Sequence, residues 1–592
     1  MANINFLPPW VETNEQPAFY DKESGTVLQQ TARMYAKVNQ LIRNVNEQNN
    51  IIDQQNNTID EYIQKFIDLK DYVDDYFDNL DVQQEINNKL DAMVLDGTLG
   101  NIIEPYLETF EAEIRDDITA LEGAVGDKTK LTTTLKTDLV NAVNSANENY
   151  ITLMREKYGR DYRYFALSLN DSWFNNVKVL KDTKNNNFNY YFDDTKFIQS
   201  GGTTYYVDPT TLDDSSHQDG SAEHPYKFLS WVFKNNTVGD GDTIILKPAI
   251  YWRNNCNINY QVTGSTQRIN KSINLIAEDG VYLTFADELS WSVDSTYSNI
   301  YVASRSNVSN VIDIRQKDKN IYNQLTQVSS ASECADTPFS WFNDSNNIYV
   351  NLDGDEVSND TVVCNLKVSP SNILIEDSTS PVTVYLKKLN CLGGSMGIVS
   401  ITGTQSTGHL KVVACDCKFY YANKNDANAI TVRGADTIFK NCEACFAMRD
   451  GFNYHANSSI LCNSIELDCL GAYNGHDNNY NNNGSTTHDG NKVLRIKGTY
   501  FNNKGPNVAD VNDGTLSVNL DCVAFDSEAV STQKNDFMTT DATTMYIYNG
   551  YTRGSRSINN IRCTGEGSTL HLNENTLYDT IYNAGTTIID TL

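Results

Sequence analysis

Basic side chains are scarce in this 592-residue chain: 46 Lys and Arg face 76 Asp and Glu, for a net charge of −30. A phosphate-binding surface needs a basic face, so the balance excludes nucleic acid as the partner and favours solubility. Long apolar runs are also missing. No stretch of 18 apolar residues occurs, so no membrane insertion is expected. The start, Met1 to Tyr20, carries Leu7-Pro8-Pro9-Trp10 but neither a basic n-region nor an apolar core, so no signal peptide is expected. Twelve cysteines are present without the paired CxxC spacing of a zinc site. Cys415-Asp416-Cys417 would place both thiols on one face of a strand.

What is present is globular in composition, 40% hydrophobic and 10% aromatic with 34 Tyr. The clearest pattern is a short phrase ending in cysteine. It reads Lys387-Lys388-Leu389-Asn390-Cys391, Val413-Ala414-Cys415-Asp416-Cys417, Ile438-Phe439-Lys440-Asn441-Cys442, Ile465-Glu466-Leu467-Asp468-Cys469, Val518-Asn519-Leu520-Asp521-Cys522 and Asn559-Asn560-Ile561-Arg562-Cys563. The first four lie at roughly 25-residue intervals, the length of one solenoid coil. Cysteine and the residues two and four before it are mostly apolar or small, and Asn or Asp usually precedes it. Strand alternation then stacks the cysteines inward, as small reduced hydrophobes, and the Asn/Asp column outward. The expected fold is mainly β, a right-handed parallel β-helix preceded by an α-helical coiled-coil stalk.

Residues 1–27 are irregular. From 28 to 104 a heptad seam runs through Val38, Val45, Ile52, Ile59, Phe66, Val73 and Leu80 at a, with Leu41, Gln48, Gln55, Tyr62, Leu69 and Tyr76 at d. Large or β-branched residues at both core positions suit three strands, with Gln48 and Gln55 fixing register. A helical hairpin within one chain is the alternative. A second helical and linker segment fills 105–155, and a Tyr/Asn/Asp-rich connecting cap 156–203. The β-helix takes 204–592, with a β insertion at about 289–365 that lacks the coil period.

Several of these features resemble the tail spikes and preneck appendages of phages that infect Gram-positive bacteria. Tyr206–Tyr251, with Val238-Gly239-Asp240-Gly241-Asp242 and an apolar strand, looks like the opening of pectate-lyase-like β-helix proteins, departing at Ala249 where Gly is usual. Leu131–Asn144 resembles a linker of phage fibres, and Phe77-Asp78-Asn79-Leu80-Asp81-Val82-Gln83-Gln84-Glu85-Ile86-Asn87-Asn88-Lys89-Leu90-Asp91 an adaptor on tail proteins. The resemblance implies a virion protein made in a host cytoplasm. It implies a homotrimer whose residues 1–27 anchor it to neck, tail or portal-collar proteins, and whose β-helix meets host cell-wall glycan.

The densest chemistry lies at 450–513, where His455, His476 and His488 sit among Asp450, Asp489 and Asp510. Aligning coils places Thr431-Val432-Arg433, Asn453-Tyr454-His455, His488-Asp489 and Ala509-Asp510 on one sheet, with Arg433, His455, Asp489 and Asp510 outward. Polysaccharide cleavage needs paired carboxylates or a base beside a charge-stabilising cation. Asp450, His455, His488 and Asp489 are therefore the catalytic candidates. Arg433, Asn453, Glu466, Asp468 and Asp510 are the substrate-binding ones, with Glu466 and Asp468 outward beside the same face. No metal ligand is assigned; a phosphodiester polymer such as teichoic acid would suit a divalent metal in a His/Asp cluster. Asp-Gly and Asn-Gly pairs are also ordinary turn chemistry, and outward Asp/Asn columns ordinary solvated ladders. The loop 473–487 breaks the period, which marks a binding face. The expected function is binding of capsule, wall polysaccharide or teichoic acid, with depolymerisation by a hydrolase or lyase. A receptor-binding fibre without turnover and a structural decoration fibre are the alternatives.

Overall fold

The computed structural model describes residues 162–590 apart from 166–168, 213–215, 235–237, 254–267, 369–370, 378, 396, 424–426, 477–481, 529–533 and 553–558. The anchor, the coiled-coil stalk and the second helical segment expected before 156 lie outside the described residues. Those described fall in one compact unit, Ala142–Leu592.

The body is a parallel β-solenoid of three long sheets. Sheet 1 has 12 strands, from Thr204–Val207 to Thr586–Asp590; sheets 2 and 3 have nine each. One coil shows the plan: Val382–Lys387 lies in sheet 1, Asn390–Leu392 in sheet 2 and Val399–Thr402 in sheet 3. The next coil adds Leu410–Cys415, Lys418–Tyr420 and Ile430–Arg433, each in parallel register with the strand before. Inward side chains such as Val384, Ala414, Phe419, Val432, Phe439 and Tyr454 form one continuous core. Leu229 and Val232 of the short helix Leu229–Lys234 pack into the same core beside Val207 and Ile244. Among the described residues no helix is long and apolar enough to cross a membrane.

The corner between sheets 1 and 2 explains the cysteine phrase and corrects its alignment. In seven successive coils one residue there has positive φ: Lys388, Asp416, Asn441, Asp468, Lys497, Asp521 and Asn549, all between 50° and 58°. Among residues with a side chain Asn and Asp tolerate this left-handed conformation best, which is why they precede the cysteine. They are thus a corner column, not outward strand positions. Their side chains bond along the axis, Asn441 Nδ2 to Asp416 Oδ1 at 2.9 Å and Asn549 Nδ2 to Asp521 Oδ1 at 3.0 Å. The residues that follow the corner include Cys417, Cys442, Cys469 and Cys522, stacked inward and buried. Cys391 and Cys563 are buried too but lie out of this column. Cys391 pairs with Phe419 within sheet 2, and Cys563 pairs with Thr539 in sheet 3. Asp416 also reverses the expected common face of Cys415 and Cys417, because its left-handed turn sends Cys415 outward and Cys417 inward. Every cysteine among the described residues is free and buried.

Cys415 is covered by a layer from the region expected as a connecting cap. Strands Tyr162–Tyr164, Val177–Asp182 and Asn187–Phe192 form an antiparallel sheet. Trp173, Phe174, Val179, Phe188 and Phe197 from this layer pack on Val413, Ile438, Ile465, Leu494 and Val518, the outer side chains of sheet 1. Trp173 Nε1 donates to Thr437 O at 3.2 Å. Strands from Ser292 to Leu366 leave the coil and form separate sheets of five and three strands. The three-stranded one lays Ile312, Ile314 and Val363 against Tyr420, Cys445 and Ala472 on the outer face of sheet 2. Sheets 1 and 2 are thus partly overlaid, and the outer face of sheet 3 carries the polar groups.

Candidate functional site

Sheet 3 brings Ile430–Arg433, Phe452–His455, Ser485–Thr487 and Val508–Asp510 into successive register, as the coil alignment anticipated. Arg433 pairs directly with His455. His488 follows the next strand, its amide donating to Tyr454 O at 3.0 Å. Stacking at one strand spacing lays the His455 and His488 rings face to face, 4.0 Å apart and 11° from parallel. Asp489 takes positive φ, 62°, in the turn with Gly490. That turn brings its carboxylate back to His455, Oδ2 lying 2.9 Å from Nδ1. The two side chains keep 27% and 40% of their surface in solvent. Arg433 is exposed.

Burial lowers the pKa of both imidazoles. His488 is brought to about 4, first by burial and then by the neighbouring His455. His455 is lowered by burial, partly offset by its bond to Asp489, and lowered further by Arg433 and Arg449 nearby. Both rings are therefore neutral at pH 7. A carboxylate only accepts, so the neutral His455 ring carries its proton on Nδ1 and leaves Nε2 as a base. The result is a neutral base oriented by a carboxylate, beside an exposed guanidinium, on an open face.

The other expected site residues fall elsewhere. Asp450 is 7% exposed and belongs to a corner ladder. Its amide donates to Asn428 Oδ1 at 3.1 Å, and its oxygens accept from Asn483 N at 2.6 Å and Asn453 Nδ2 at 2.7 Å. Asn428 with Thr431 and Asn483 with Thr486 repeat the same three-residue link in the coils on either side. Asn453 shares the ladder and is buried, with Oδ1 lacking a partner.

Glu466 and Asp510 correct the outward expectation, and Asp468, which is exposed, corrects only its place beside the His455 face. Asp468 is the corner residue between sheets 1 and 2, and its carboxylate accepts from Tyr190 of the covering layer. Glu466 and Asp510 point into the solenoid and are fully buried with Arg495. Glu466 accepts from Ser485 Oγ at 2.6 Å, Tyr500 OH at 2.7 Å and Tyr454 OH at 3.0 Å. Arg495 Nη2 donates to Thr487 Oγ1 at 2.7 Å, and both its Nη atoms reach Asp510 Oδ1 at 3.4 Å. Asp510 Oδ2 is buried without a partner.

Sequence reasoning passed over Arg495. Its signal was a cation at inward parity with Val493 in the strand Lys492–Ile496. It also passed over two His–Asp pairs, His409 Nδ1 on Asp377 Oδ2 at 3.1 Å and His571 Nδ1 on Asp590 Oδ2 at 3.0 Å. Both join residues in different coils, which no local motif marks. Among the described residues no three His, Cys, Asp or Glu side chains converge as a metal site.

No protein-family model matches the chain, and no curated protein does. Among solved structures it is similar to a glycoside hydrolase, at 8% identity and a TM-score of 0.45, over 66% of this chain and 95% of that one. It is similar to pectate lyase Pel9A at 12% identity and a TM-score of 0.29, over 67% and 80%. It is also similar to the Gp54 tailspike of Acinetobacter baumannii bacteriophage AP22 in complex with A. baumannii capsular saccharide, at 8% and 0.22, over 64% and 72%. At these identities and scores no residue role passes from them to this chain.

Proposed function

We propose that this chain is a tail spike or preneck appendage of a phage infecting Gram-positive bacteria, which binds host cell-surface glycan on a right-handed solenoid and depolymerises it at the His455 face. In this reading the heptad seam at 38–80 makes a homotrimer and residues 1–27 attach it to neck or tail proteins. Buried, unpaired cysteines suit synthesis in a reducing cytoplasm. One observation carries the enzymatic part: a neutral His455 held by Asp489, stacked on His488 and paired in register with Arg433 on an open sheet face.

His455 Nε2 is placed to take a proton, Asp489 to stabilise the imidazolium that forms, and Arg433 to stabilise negative charge on the polymer. The proton would come from carbon in an elimination, or from the attacking water in hydrolysis of a glycosidic or phosphodiester link. Asp450, buried in its ladder, is read as holding the corner rather than reacting. A receptor-binding fibre without turnover is the second reading. What favours it is that one carboxylate, Asp489, bonds the His455 ring, where glycoside hydrolysis commonly uses two.

The test is release of reducing ends, unsaturated sugar or glycerol phosphate from host walls. Wild type should release one of them, and His455→Ala and Asp489→Asn should cut that release by ~10²–10⁴-fold while cell binding persists. No release by wild type from any host polymer rejects the enzymatic reading; undiminished release by both variants moves the site elsewhere.

A further inference from the structure

A second corner, at the end of the sheet-2 strands, also demands positive φ: Gly393, Tyr421, Phe446, Tyr473, Asn502 and Asp526 occupy it in successive coils. Gly, Asn and Asp are the ordinary residues for that conformation, and a bulky aromatic there is an outlier. Three coils in a row nevertheless carry aromatics. Their rings stack, Tyr421 on Phe446 at 4.8 Å and Phe446 on Tyr473 at 5.1 Å and 2°. Beyond them Phe501 meets Tyr473 edge-on at 5.2 Å and stacks on Phe525 at 4.9 Å.

Internal stacking accounts for part of this strip but not for where it leads. The insertion overlies its first coils, where Tyr421 OH donates to Tyr322 O at 3.0 Å and is buried. Farther on Tyr473 is 42% exposed. At the step between the two lies a cavity of about 500 Å³, walled by Tyr421, Phe446 and His476 on one side and by residues 322–327 of the insertion on the other. That side is the consecutive strands Ile321–Gln324 and Thr326–Gln327, which present Asn323, Gln324, Thr326 and Gln327, all exposed. In a chain of net charge −30, no Asp, Glu, Lys or Arg among the described residues lines this cavity. Aromatic surface facing a row of amides and a hydroxyl, without charge, matches a ligand with C–H faces and a rim of hydroxyls. Strained residues cluster where a ligand is held.

We infer that the cavity and the aromatic strip beyond it form a second carbohydrate-binding site, for an uncharged sugar chain, on a different sheet from the His455 cluster. It would hold polymer without reacting with it and act alongside the sheet-3 face.

Two variants of the full chain test this. Tyr473→Asn removes the exposed ring yet suits positive φ, and Gln324→Ala removes an amide from the facing strand. The probes are neutral tetrasaccharides of glucose, galactose and N-acetylglucosamine, with tetragalacturonate as the charged control. Binding is read by saturation-transfer NMR and titration. Wild type should bind at least one neutral probe more tightly than the control. Tyr473→Asn should weaken that binding by about tenfold or more. Gln324→Ala should weaken it by a smaller factor, with the melting temperature of Tyr473→Asn unchanged or raised. Four results would overturn the inference: no neutral probe binds; binding survives both variants; Tyr473→Asn melts early without changing affinity, making the stack purely structural; or the variants change the oligomeric state, making the occupant a second copy of the chain.

Discussion

The strands Phe452–His455 and Ser485–Thr487 carry two polar clusters, one on each face. Outward lie His455 and, just past the second strand, His488 and Asp489; inward Tyr454, Ser485 and Thr487 meet Glu466, Arg495 and Asp510. Both collect ionisable groups across coils, and by residue type either could be an active site. They differ in what remains for a ligand. The inner groups are fully buried and bond one another, whereas the outer ones keep solvent access and a base. Burying charge is costly unless it is paired and hydrogen-bonded, so the inner set reads as structure and the outer set as chemistry. The inner cluster also fixes the strands from below, which holds the outer rings in place.

The sharpest way to break this comparison is to remove the inner cation. Arg495→Ala would leave Glu466 and Asp510 buried without it, and losing one partner of a buried ionic network typically costs about 3–5 kcal/mol. Urea or thermal denaturation should show a large loss, whereas His455→Ala should change stability by less than about 1 kcal/mol. If Arg495→Ala were as stable as wild type, the inner cluster would not be holding the fold.

Acidity separates the same faces more gently. Burial places the His488 pKa near 4 and lowers that of His455, against an ordinary 6.5. For a histidine whose folded value is depressed, the unfolded chain binds more protons between the two values. The stability contributed by the neutral His488 ring is thus present above pH 6.5 and lost as pH falls through its folded value near 4, and that of His455 is lost in the same direction below 6.5. Polymer release should follow the His455 base, with an acid limb below pH 6.5. A limb at or above 6.5 in the pH–rate profile would mean that these imidazoles are not the base.

Much of the solenoid was legible in the sequence because its period and its inward small residues repeat. The coil alignment also placed Arg433, His455 and His488 on one sheet. What failed was parity. Counting alternate residues assumes a straight strand, but left-handed corners at Asp416 and Asp468 restart the count. The thiols of Cys415 and Cys417 therefore separate, and Asp468 turns to Tyr190 instead of to the His455 face. Glu466 was placed outward by the same alternation from Cys469, and Asp510 by the coil alignment. Only their three-dimensional meeting with Arg495, one coil on from Glu466 and one sheet away from Asp510, makes burial tolerable. Asp450 was drawn in by neighbouring histidines, and its ladder role depends on Asn428 and Asn483 in adjacent coils.

Asp436 offers the smallest and most specific test of the same contrast, since it is a buried carboxylate served by amide donors rather than by a guanidinium. It is 3% exposed, and its Oδ1 accepts from Asn463 N at 3.2 Å and Nδ2 at 3.1 Å. Burial is the main cause that raises its pKa, to about 6 from 3.8, and the Asn463 bonds only partly offset this. For a carboxylic acid raised in this way the folded state holds its proton longer. Its contribution to stability is full below pH 3.8 and is lost as pH rises through about 6. Asp436→Asn keeps an oxygen for Asn463 and cannot ionise. At pH 8 the variant should be more stable than wild type by on the order of 1 kcal/mol, and the advantage should shrink by pH 5 as wild-type Asp436 takes up its proton. Paired denaturation curves at the two pH values measure this. A variant less stable than wild type at pH 8 would show that the amide donors around Asp436 stabilise its charge as well as Arg495 serves the inner cluster, and the distinction between cation-paired and amide-bonded buried carboxylates would fall.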